Sequence, residues 1–309
     1  MSPAAALVSN NCIGIVGLGL VGTALAKRLR AAGYDCIGFD VCADAVQAFE
    51  AADFKTSASV PSMLEQTHTL VLAVFDTAGV VDVVDQIQRH LRAMAQTLPT
   101  PLTLIDCSTG DPFKLAELSE SLALINIRLI EAPLSGSSVQ IENGEATLLL
   151  GGDAHHIESV HRVLSALANC SVHVGGAGMA AKAKLATNLV LGLNRAALAE
   201  GMVFAQTLGI QPATFLQLVL KTPARSEAAV VKGPMMVDGQ FEPQSRIRQH
   251  LKDVQLMLDM AQSSSQNLPL SQTHFQLMRK AMEQGDGELD NAAIILQMRR
   301  EKTVRQSNP

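Results

Sequence analysis

The sequence predicts an α/β fold in which a Rossmann-type doubly wound sheet is followed by an all-helical C-terminal domain, joined by a long interdomain helix. A glycine-rich turn, G-L-G-L-V-G, occupies residues 17–22 and follows an apolar run that begins at Cys12. Strand-like and helical runs then alternate through the first half, as in a parallel sheet. After residue 176 almost every segment has a helical pattern.

The first βαβ unit is predicted as a strand from Cys12, a helix over 23–32 and a strand over 35–39. The later strand-like runs are 69–74, 102–107, 127–131, 146–150 and 172–174. The helical runs between strands are 43–51, 80–96, 112–123 and 156–168. Asn143-Gly144 is typical of a turn and favours a hairpin late in the sheet.

The second half is predicted as helices over 179–208, 212–220, 247–263, 270–283 and 291–299. Pro212 suits an early helix position, and Asp290 suits an N-cap. We therefore expect two domains, residues 1–174 and 175–309. The helix from Met179 should line the cleft between them, where ligands commonly bind.

Composition excludes several classes of function. The 309 residues carry a formal net charge of −5 with scattered basic residues, and no basic segment or aromatic platform indicates nucleic acid. No run reaches the roughly 20 apolar residues of a membrane span, and residues 1–11 lack a signal-peptide pattern. The five cysteines contain no C-x-x-C pair, which predicts reduced thiols in a cytoplasmic protein. His155-His156 lacks partners at ligand spacing, so no metal site is expected.

The glycine turn is the first candidate site. Gly17 permits a tight turn, Gly19 lets the backbone approach a pyrophosphate, and Gly22 lets the following helix pack close to the strand. An ordinary strand-to-helix turn is the alternative. The predicted cofactor-binding residues of the turn are Gly17, Leu18, Gly19, Leu20, Val21 and Gly22.

Asp40 ends the second strand about 20 residues after the glycines, where a carboxylate can bind the hydroxyls of the adenosine ribose. The alternative is a cap for the helix over 43–51. The carboxylate would repel a ribose 2′-phosphate, and no Lys or Arg follows it closely. The sequence therefore predicts NAD, with NADP disfavoured.

Lys184 and Asn188 are the candidate chemical pair, because residues four apart share one helix face. Their neighbours Ala180, Ala181 and Leu191 are apolar. Partial desolvation would lower the pKa of Lys184 and suit it to proton transfer. A surface lysine whose stem covers apolar area is the alternative.

Three further segments could contribute. Ser135 to Ser138 follow a strand that ends at Glu131, and their amides and hydroxyls can hold a carboxylate, although a plain loop has the same composition. Ser108 or Thr109 could cap the helix at 112–123 or contact a ligand. Lys252-Asp253 lies on a later helix, where such a pair is usually solvated surface.

Together these motifs resemble the β-hydroxyacid dehydrogenase family over most of the chain, from Ile13 to about Met298. The family's substrate signature D-A-P-V-S-G-G has its counterpart in E-A-P-L-S-G-S at 131–137. Its catalytic signature G-x-G-x-x-x-K-x-x-N-N has its counterpart in G-M-A-A-K-A-K-L-A-T-N at 178–188, and its late K-D motif in Lys252-Asp253.

The resemblance implies hydride transfer between NAD and a small β-hydroxy acid, or reduction of the matching semialdehyde or 2-oxo acid. It implies that Lys184 is the general acid/base and that Asn188 orients the reacting oxygen. Ser135, Gly136 and Ser137 would bind the substrate carboxylate. Thr109 and Lys252 would lie near both substrate and cofactor.

Three positions depart from the family pattern. Ser137 replaces a glycine, Ala180 stands where glycine is frequent, and Thr187 replaces the first of two asparagines. These departures bear on the substrate more than on the reaction type. We expect Ser137, Ser138, Gln140 and the segment 225–235 to shape the specificity pocket.

Two alternative functions remain open from the sequence. One is oxidative decarboxylation of a β-hydroxy acid, as in 6-phosphogluconate dehydrogenase, which shares the Lys/Asn pair. The other is a non-catalytic NAD-binding reader, which would be expected to lack the lysine. The long apolar helices of the second domain favour a homodimer or homotetramer.

Overall fold

The structure is a computed structural model, and it describes residues 11–94, 98 and 100–301. The chain divides into two compact units, Met1–Lys184 and Leu185–Pro309. The division falls inside a helix, whereas the predicted boundary was between residues 174 and 175.

The N-terminal unit is built on one nine-stranded sheet. Its strands are β1 Cys12–Val16, β2 Asp35–Phe39, β3 Lys55–Thr56, β4 Thr69–Leu72, β5 Leu102–Asp106, β6 Ile127–Glu131, β7 Leu134–Ser135, β8 Thr147–Gly151 and β9 Cys170–Gly175. The strand order is β3-β2-β1-β4-β5-β6-β8-β7, and β9 pairs with β8. All pairs from β3 to β6 are parallel, while β8 runs antiparallel to β6 and β7. This arrangement confirms the predicted Rossmann-type sheet.

Helices connect these strands. They are α1 Leu20–Ala31, α2 Ala43–Ala51, α3 Val60–Met63, α4 Thr77–Ala93, α5 Pro112–Ala123, α6 Ser138–Asn143, α7 Ala154–Ser159 and α8 His161–Leu167. Alternate strand residues enter two different apolar clusters: Ile15 of β1 packs in one and Val16 in the other. Both faces of the parallel strands are therefore buried, which explains why these strands are continuously apolar.

The C-terminal unit is helical. Its helices are α9 Met179–Thr207, which begins in the N-terminal unit, α10 Pro212–Lys221, α11 Glu227–Asp238, α12 Ile247–Ser263, α13 Pro269–Glu283 and α14 Ile294–Arg300.

A 3-10 turn, Asn291–Ala293, precedes α14, and Asp290 caps it as predicted. The other oxygen of Asp290 pairs with Lys232 at 2.8 Å. Burial lowers the pKa of Lys232, and Asp290 opposes that shift.

Three local expectations were wrong, and one helix was not predicted. Asn143-Gly144 does not form a hairpin turn; it ends α6, with Gly144 as the left-handed cap at φ +75°. Asp111, and not Ser108 or Thr109, caps α5, because its carboxylate accepts the amides of Phe113 and Lys114. The helix expected over 156–168 is broken at Val160 into α7 and α8. The segment 225–235 lies largely in α11, a helix that was not predicted.

The predictions about membrane spans, metal sites and cysteines can be compared with the described residues. Among residues 11–94, 98 and 100–301, no helix is long and apolar enough to cross a membrane. Within the same residues, no group of His, Cys, Asp and Glu has the arrangement of a metal site. All five cysteines are free thiols. The expectation for residues 1–10, and the end of the helix predicted over 80–96, lie outside the described residues.

Candidate active site

The glycine turn lies at the point where the strand order of the sheet reverses. Strands β2 and β3 lie on one side of β1, and β4, β5 and β6 lie on the other. In such sheets, ligands bind at the carboxyl ends of the strands beside this reversal. Gly17 leaves β1 there with φ +93°, and a side chain on it would overlap the carbonyl oxygen of Ala73, the residue after β4.

The other two glycines of the turn have different surroundings. A side chain on Gly22 would overlap the carbonyl oxygen of Gly17, so glycine is needed for α1 to pack this closely. Gly19 is exposed and has no atom within 4 Å of the place where a Cβ would be. It is the N-cap of α1, and no side chain caps this helix. The turn therefore presents bare backbone and an uncapped helix start, which fits a dinucleotide pyrophosphate.

Asp40 joins the glycine turn to the end of β2. Its Oδ2 accepts the amide of Leu18 at 2.6 Å, and its Oδ1 accepts the amide of Cys42 at 2.8 Å. The N-cap position of α2 is Cys42, so Asp40 holds the preceding turn and does not cap the helix. A carboxylate offers about four acceptor positions, so two such bonds leave capacity for ribose hydroxyls.

The turn after β5 is hydrogen-bonded to the segment that follows the neighbouring strand β4. Ser108 is buried, and its Oγ accepts the amide of Val74 at 3.1 Å. The amide of Ser108 donates to Oδ1 of Asp106 at 2.9 Å. Thr109 is half-buried immediately after it, at the carboxyl end of the strand. The structure thus gives Ser108 a role within the turn and places Thr109 just beyond the carboxyl end of β5, the edge at which sheets of this type generally bind ligands.

The predicted carboxylate loop follows β6. Ser135 is half-buried in β7, and a Cβ on Gly136 would lie 2.8 Å from the Cβ of Ala146. Ser137 is buried and caps α6: its Oγ accepts the amide of Gln140 at 3.3 Å, and its own amide donates to Oε1 of Gln140 at 2.9 Å. The serine that departs from the family pattern therefore has a structural role, and its hydroxyl proton can still donate.

Glu131 holds the start of α9. Its Oε1 accepts the amide of Gly178, and its Oε2 accepts the amide of Ala181 at 2.8 Å. Burial raises the pKa of Glu131, while these two backbone bonds act in the opposite direction. A carboxylate at the first turn of a 29-residue helix satisfies amides that have no partner within the helix. The helix that carries Lys184 is therefore fixed at its beginning.

Lys184 and Lys182 have different environments on α9. Lys184 is only 8% exposed. Lys182 is half-buried, with its Nζ 5.2 Å from the centre of the Phe113 ring. The surface-lysine alternative therefore does not hold for Lys184.

In the C-terminal unit, Asn188 is bound to the late K-D motif. The Nδ2 of Asn188 donates to Oδ2 of Asp253 at 3.1 Å, and both residues are buried. The Oδ1 of Asp253 lies 3.0 Å from Nζ of Lys252. Because a carboxylate only accepts, Asp253 fixes which end of the Asn188 amide faces it.

Comparison with known families covers nearly all of the described chain. Residues 12–175 match the NAD binding domain of 6-phosphogluconate dehydrogenase. Residues 176–298 match a domain described as the NAD-binding domain of NADP-dependent 3-hydroxyisobutyrate dehydrogenase. The chain belongs to the β-hydroxyacid dehydrogenase family. This family comprises NAD(P)-dependent oxidoreductases, and its descriptions name both cofactors.

Individual known proteins show similarity over most of the chain. The 2-hydroxy-3-oxopropionate reductase of Escherichia coli is 26% identical over 92% of this chain and 95% of its own length. The cytokine-like nuclear factor N-PAC of Drosophila melanogaster is 24% identical over 94% of this chain, which spans only 48% of that protein. The crystal structure of a 3-hydroxyisobutyrate dehydrogenase from Salmonella typhimurium has a TM-score of 0.79 at 26% identity, covering 93% and 99% of the two chains.

Within each unit, the structure brings together part of the predicted β-hydroxyacid dehydrogenase site. In the N-terminal unit, the glycine turn, Asp40, Thr109 and Ser135 all lie at carboxyl ends of strands or just beyond them. In the C-terminal unit, Asn188 and Lys252 meet at Asp253. Asp253 was not among the predicted site residues, although the K-D motif contains it. The bonds from Glu131 to α9 were not predicted either.

Proposed function

We propose that the protein is an NAD-dependent dehydrogenase that oxidises a small β-hydroxy acid or reduces the matching semialdehyde or 2-oxo acid. The observation that carries the proposal is the burial of Lys184, which is 8% exposed on the helix anchored by Glu131. Burial disfavours the charged form of an amine, so a buried lysine is neutral, and able to accept a proton, more readily than a solvated one. That property is what oxidation of an alcohol requires of a general base.

A nicotinamide cofactor bound at the glycine turn and Asp40 would supply the hydride chemistry of the proposed reaction. Lys184 takes the hydroxyl proton in oxidation and returns it in reduction. Asn188, whose Nδ2 donates to Asp253, would orient the reacting oxygen. Ser135, Gly136 and Ser137 would bind the substrate carboxylate, with Thr109 and Lys252 beside substrate and cofactor. Such contacts select acids whose carbinol carbon can reach the hydride acceptor.

We further propose that NAD is preferred over NADP, on the strength of Asp40. Replacing Asp40 with serine should weaken NAD binding about tenfold, because hydrogen bonds to a charged acceptor are lost. The double change Asp40→Ser with Val41→Arg should favour NADP, since Val41 is 91% exposed and an arginine there adds a cation for the 2′-phosphate. Ratios of kcat/KM for the two cofactors measure the effect. Val41→Arg alone is the control, and an unchanged preference in the double variant would refute the role of Asp40.

The reaction is tested by following NAD reduction with glycerate, 3-hydroxyisobutyrate, 3-hydroxypropionate, 4-hydroxybutyrate and threonate, and repeating the assays with NADP. We expect at least one acid to give turnover with a 1:1 yield of carbonyl product and no carbon dioxide. Release of carbon dioxide would instead indicate the oxidative decarboxylase.

A non-catalytic reader is the second candidate function, because the similarity to the Drosophila nuclear factor covers 94% of this chain. The buried Lys184 and the Asn188–Asp253 bond favour an enzyme over a reader. Tight NAD binding without turnover on any of the acids or their carbonyl forms would favour the reader.

We propose that the chain forms a homodimer or homotetramer. The C-terminal unit exposes large apolar side chains, with Phe204 63%, Leu208 62% and Leu218 51% exposed. Phe204 lies in the last turn of α9, and Leu208 directly follows the helix with its amide bonded to the carbonyl oxygen of Phe204, so the two side chains lie about one turn apart. Apolar surface of this kind is typical of subunit contacts. Light scattering of the purified protein measures the mass, and a monomer would contradict the proposal.

A further inference from the structure

Helices α9 and α12 pack along a seam of successive contacts within the C-terminal unit. Asn188 of α9 meets Asp253 of α12, and four residues later Gly192 meets His250, three residues earlier on α12. The two helices are therefore antiparallel. Apolar residues continue the seam on both sides: Leu185 with Val254 and Met257 at one end, and Ala196 and Ala199 in one cluster with Ile247 at the other.

Gly192 determines how closely the helices approach. A Cβ on Gly192 would overlap Nε2 of His250 and would lie 2.8 Å from its Cε1. Glycine is an unfavourable residue in the middle of a helix. Here its lack of a side chain makes room for the imidazole ring against the backbone of α9.

His250 is held from its other side by α13. Its Nε2 lies 3.1 Å from Nε2 of His274, and the two rings are 6% and 3% exposed. One of these nitrogens must carry the hydrogen while the other accepts it, so the two rings are in different tautomeric roles. Burial, with the charge of Arg195, lowers the pKa of His274 to about 4, so this ring is neutral near neutral pH. The two rings are therefore joined by one hydrogen bond in which one Nε2 donates and the other accepts.

The contact at His250 lies one helical turn from the contact at Asp253. Hydrogen bonds of the N–H···O type span about 2.7–3.2 Å between heavy atoms, and the Asn188–Asp253 bond, at 3.1 Å, is already near the upper end of that range. A small outward shift of α12 at His250 would therefore separate Asp253 from Asn188. We propose that His250, held by His274 and packed on Gly192, is a positioning residue that keeps Asp253 bound to Asn188 for hydride transfer. This inference rests on the proposed function.

The first test replaces Gly192 with alanine and uses Gly201→Ala as the matched control. Both glycines lie in α9, but a Cβ at Gly201 would approach only the tip of the half-buried Phe215 ring, at 3.2 Å. We expect Gly192→Ala to lower kcat about tenfold with the Kd for NAD unchanged, because a misplaced orienting group affects turnover and not cofactor binding. Gly201→Ala should retain kcat within about twofold, since it leaves the seam intact.

The second test uses His274, so that a folding defect at Gly192 does not decide the outcome. His274→Ala removes the partner of His250, whereas the side-chain amide of His274→Gln can still donate to Nε2 of His250. We expect the alanine variant to lose kcat as Gly192→Ala does, and the glutamine variant to recover most of it. Equal kcat in His274→Ala and wild type would overturn the proposal.

A third readout does not depend on catalysis. The side-chain NH₂ protons of Asn188, assigned by their loss in Asn188→Asp, should exchange slowly with solvent in wild type and in Gly201→Ala. They should exchange rapidly in Gly192→Ala and His274→Ala. If wild type turns over no hydroxy acid, the proposed function fails while this pattern still supports the positioning role. Slow exchange in every variant would overturn the positioning role whatever the activity.

Discussion

Replacing Lys184 with alanine is expected to lower kcat roughly a thousandfold, the usual contribution of a positioned general acid/base. The change deletes the amine but keeps a residue that favours helix, so α9 should remain intact. Because the cofactor-binding candidates Gly17–Gly22 and Asp40 lie on other elements, the Kd for NAD should be unchanged. Steady-state turnover with the best hydroxy acid, together with calorimetric titration of NAD, measures the two effects separately.

Lys182→Ala is the control for this experiment. It removes the same functional group two residues earlier on α9, where the amine lies 5.2 Å from the centre of the Phe113 ring. A cation–π contact of about 0.5–1 kcal/mol is lost, and turnover should stay close to wild type. Wild-type turnover in Lys184→Ala would show that Lys184 is not the acid/base. Equal losses in both variants would attribute the effect to the helix and not to the amine.

The sequence was sufficient to predict the bounds of elements with a strong hydrophobic periodicity or clear end signals. Strands β2 and β6 and helices α2, α5 and α12 have the predicted bounds. Helix α11 was missed because Gly233-Pro234 is typical of a break, although Ser226 and Gly239 cap its two ends. Tertiary packing overrides that local preference: a Cβ on Gly233 would overlap Cδ1 of Leu216, so this glycine allows α10 and α11 to approach closely.

In the candidate site too, features that depend on neighbouring residues were predicted, and contacts between distant residues were not. Lys184 was identified by its spacing and by the family motif, and its burial was expected from its apolar neighbours. The hydrogen-bond partners of the site residues were not predicted, because they lie far away in sequence. Asn188 and Asp253 are 65 residues apart, and Glu131 and Ala181 are 50 residues apart. Ser137 was assigned to the substrate, but its capping bond with Gln140 depends on where α6 begins, which a six-residue helix does not reveal.

Replacing Gly19 with alanine is expected to raise the Kd for NAD at least about a hundredfold, because two or more hydrogen bonds to a charged phosphate would be blocked. The free protein should tolerate the change. Gly19 has φ −70° and ψ −164°, which alanine can adopt, and no atom lies within 4 Å of the new Cβ. Loss of an N-cap glycine should cost less than about 1 kcal/mol of folding stability. Calorimetric titration with NAD and a thermal melt measure the two quantities.

Two further glycines make this experiment specific. Gly176 also has no atom within 4 Å of the place where a Cβ would be, so Gly176→Ala should retain both stability and NAD affinity. Gly22→Ala should lose stability, because its Cβ would overlap the carbonyl oxygen of Gly17. Only at Gly19 should cofactor affinity fall while the fold survives, because only there does open space in the free protein become pyrophosphate in the complex. A Gly19→Ala variant that binds NAD like wild type would show that the dinucleotide does not bind at this turn. The proposed role of Asp40 would then also be wrong.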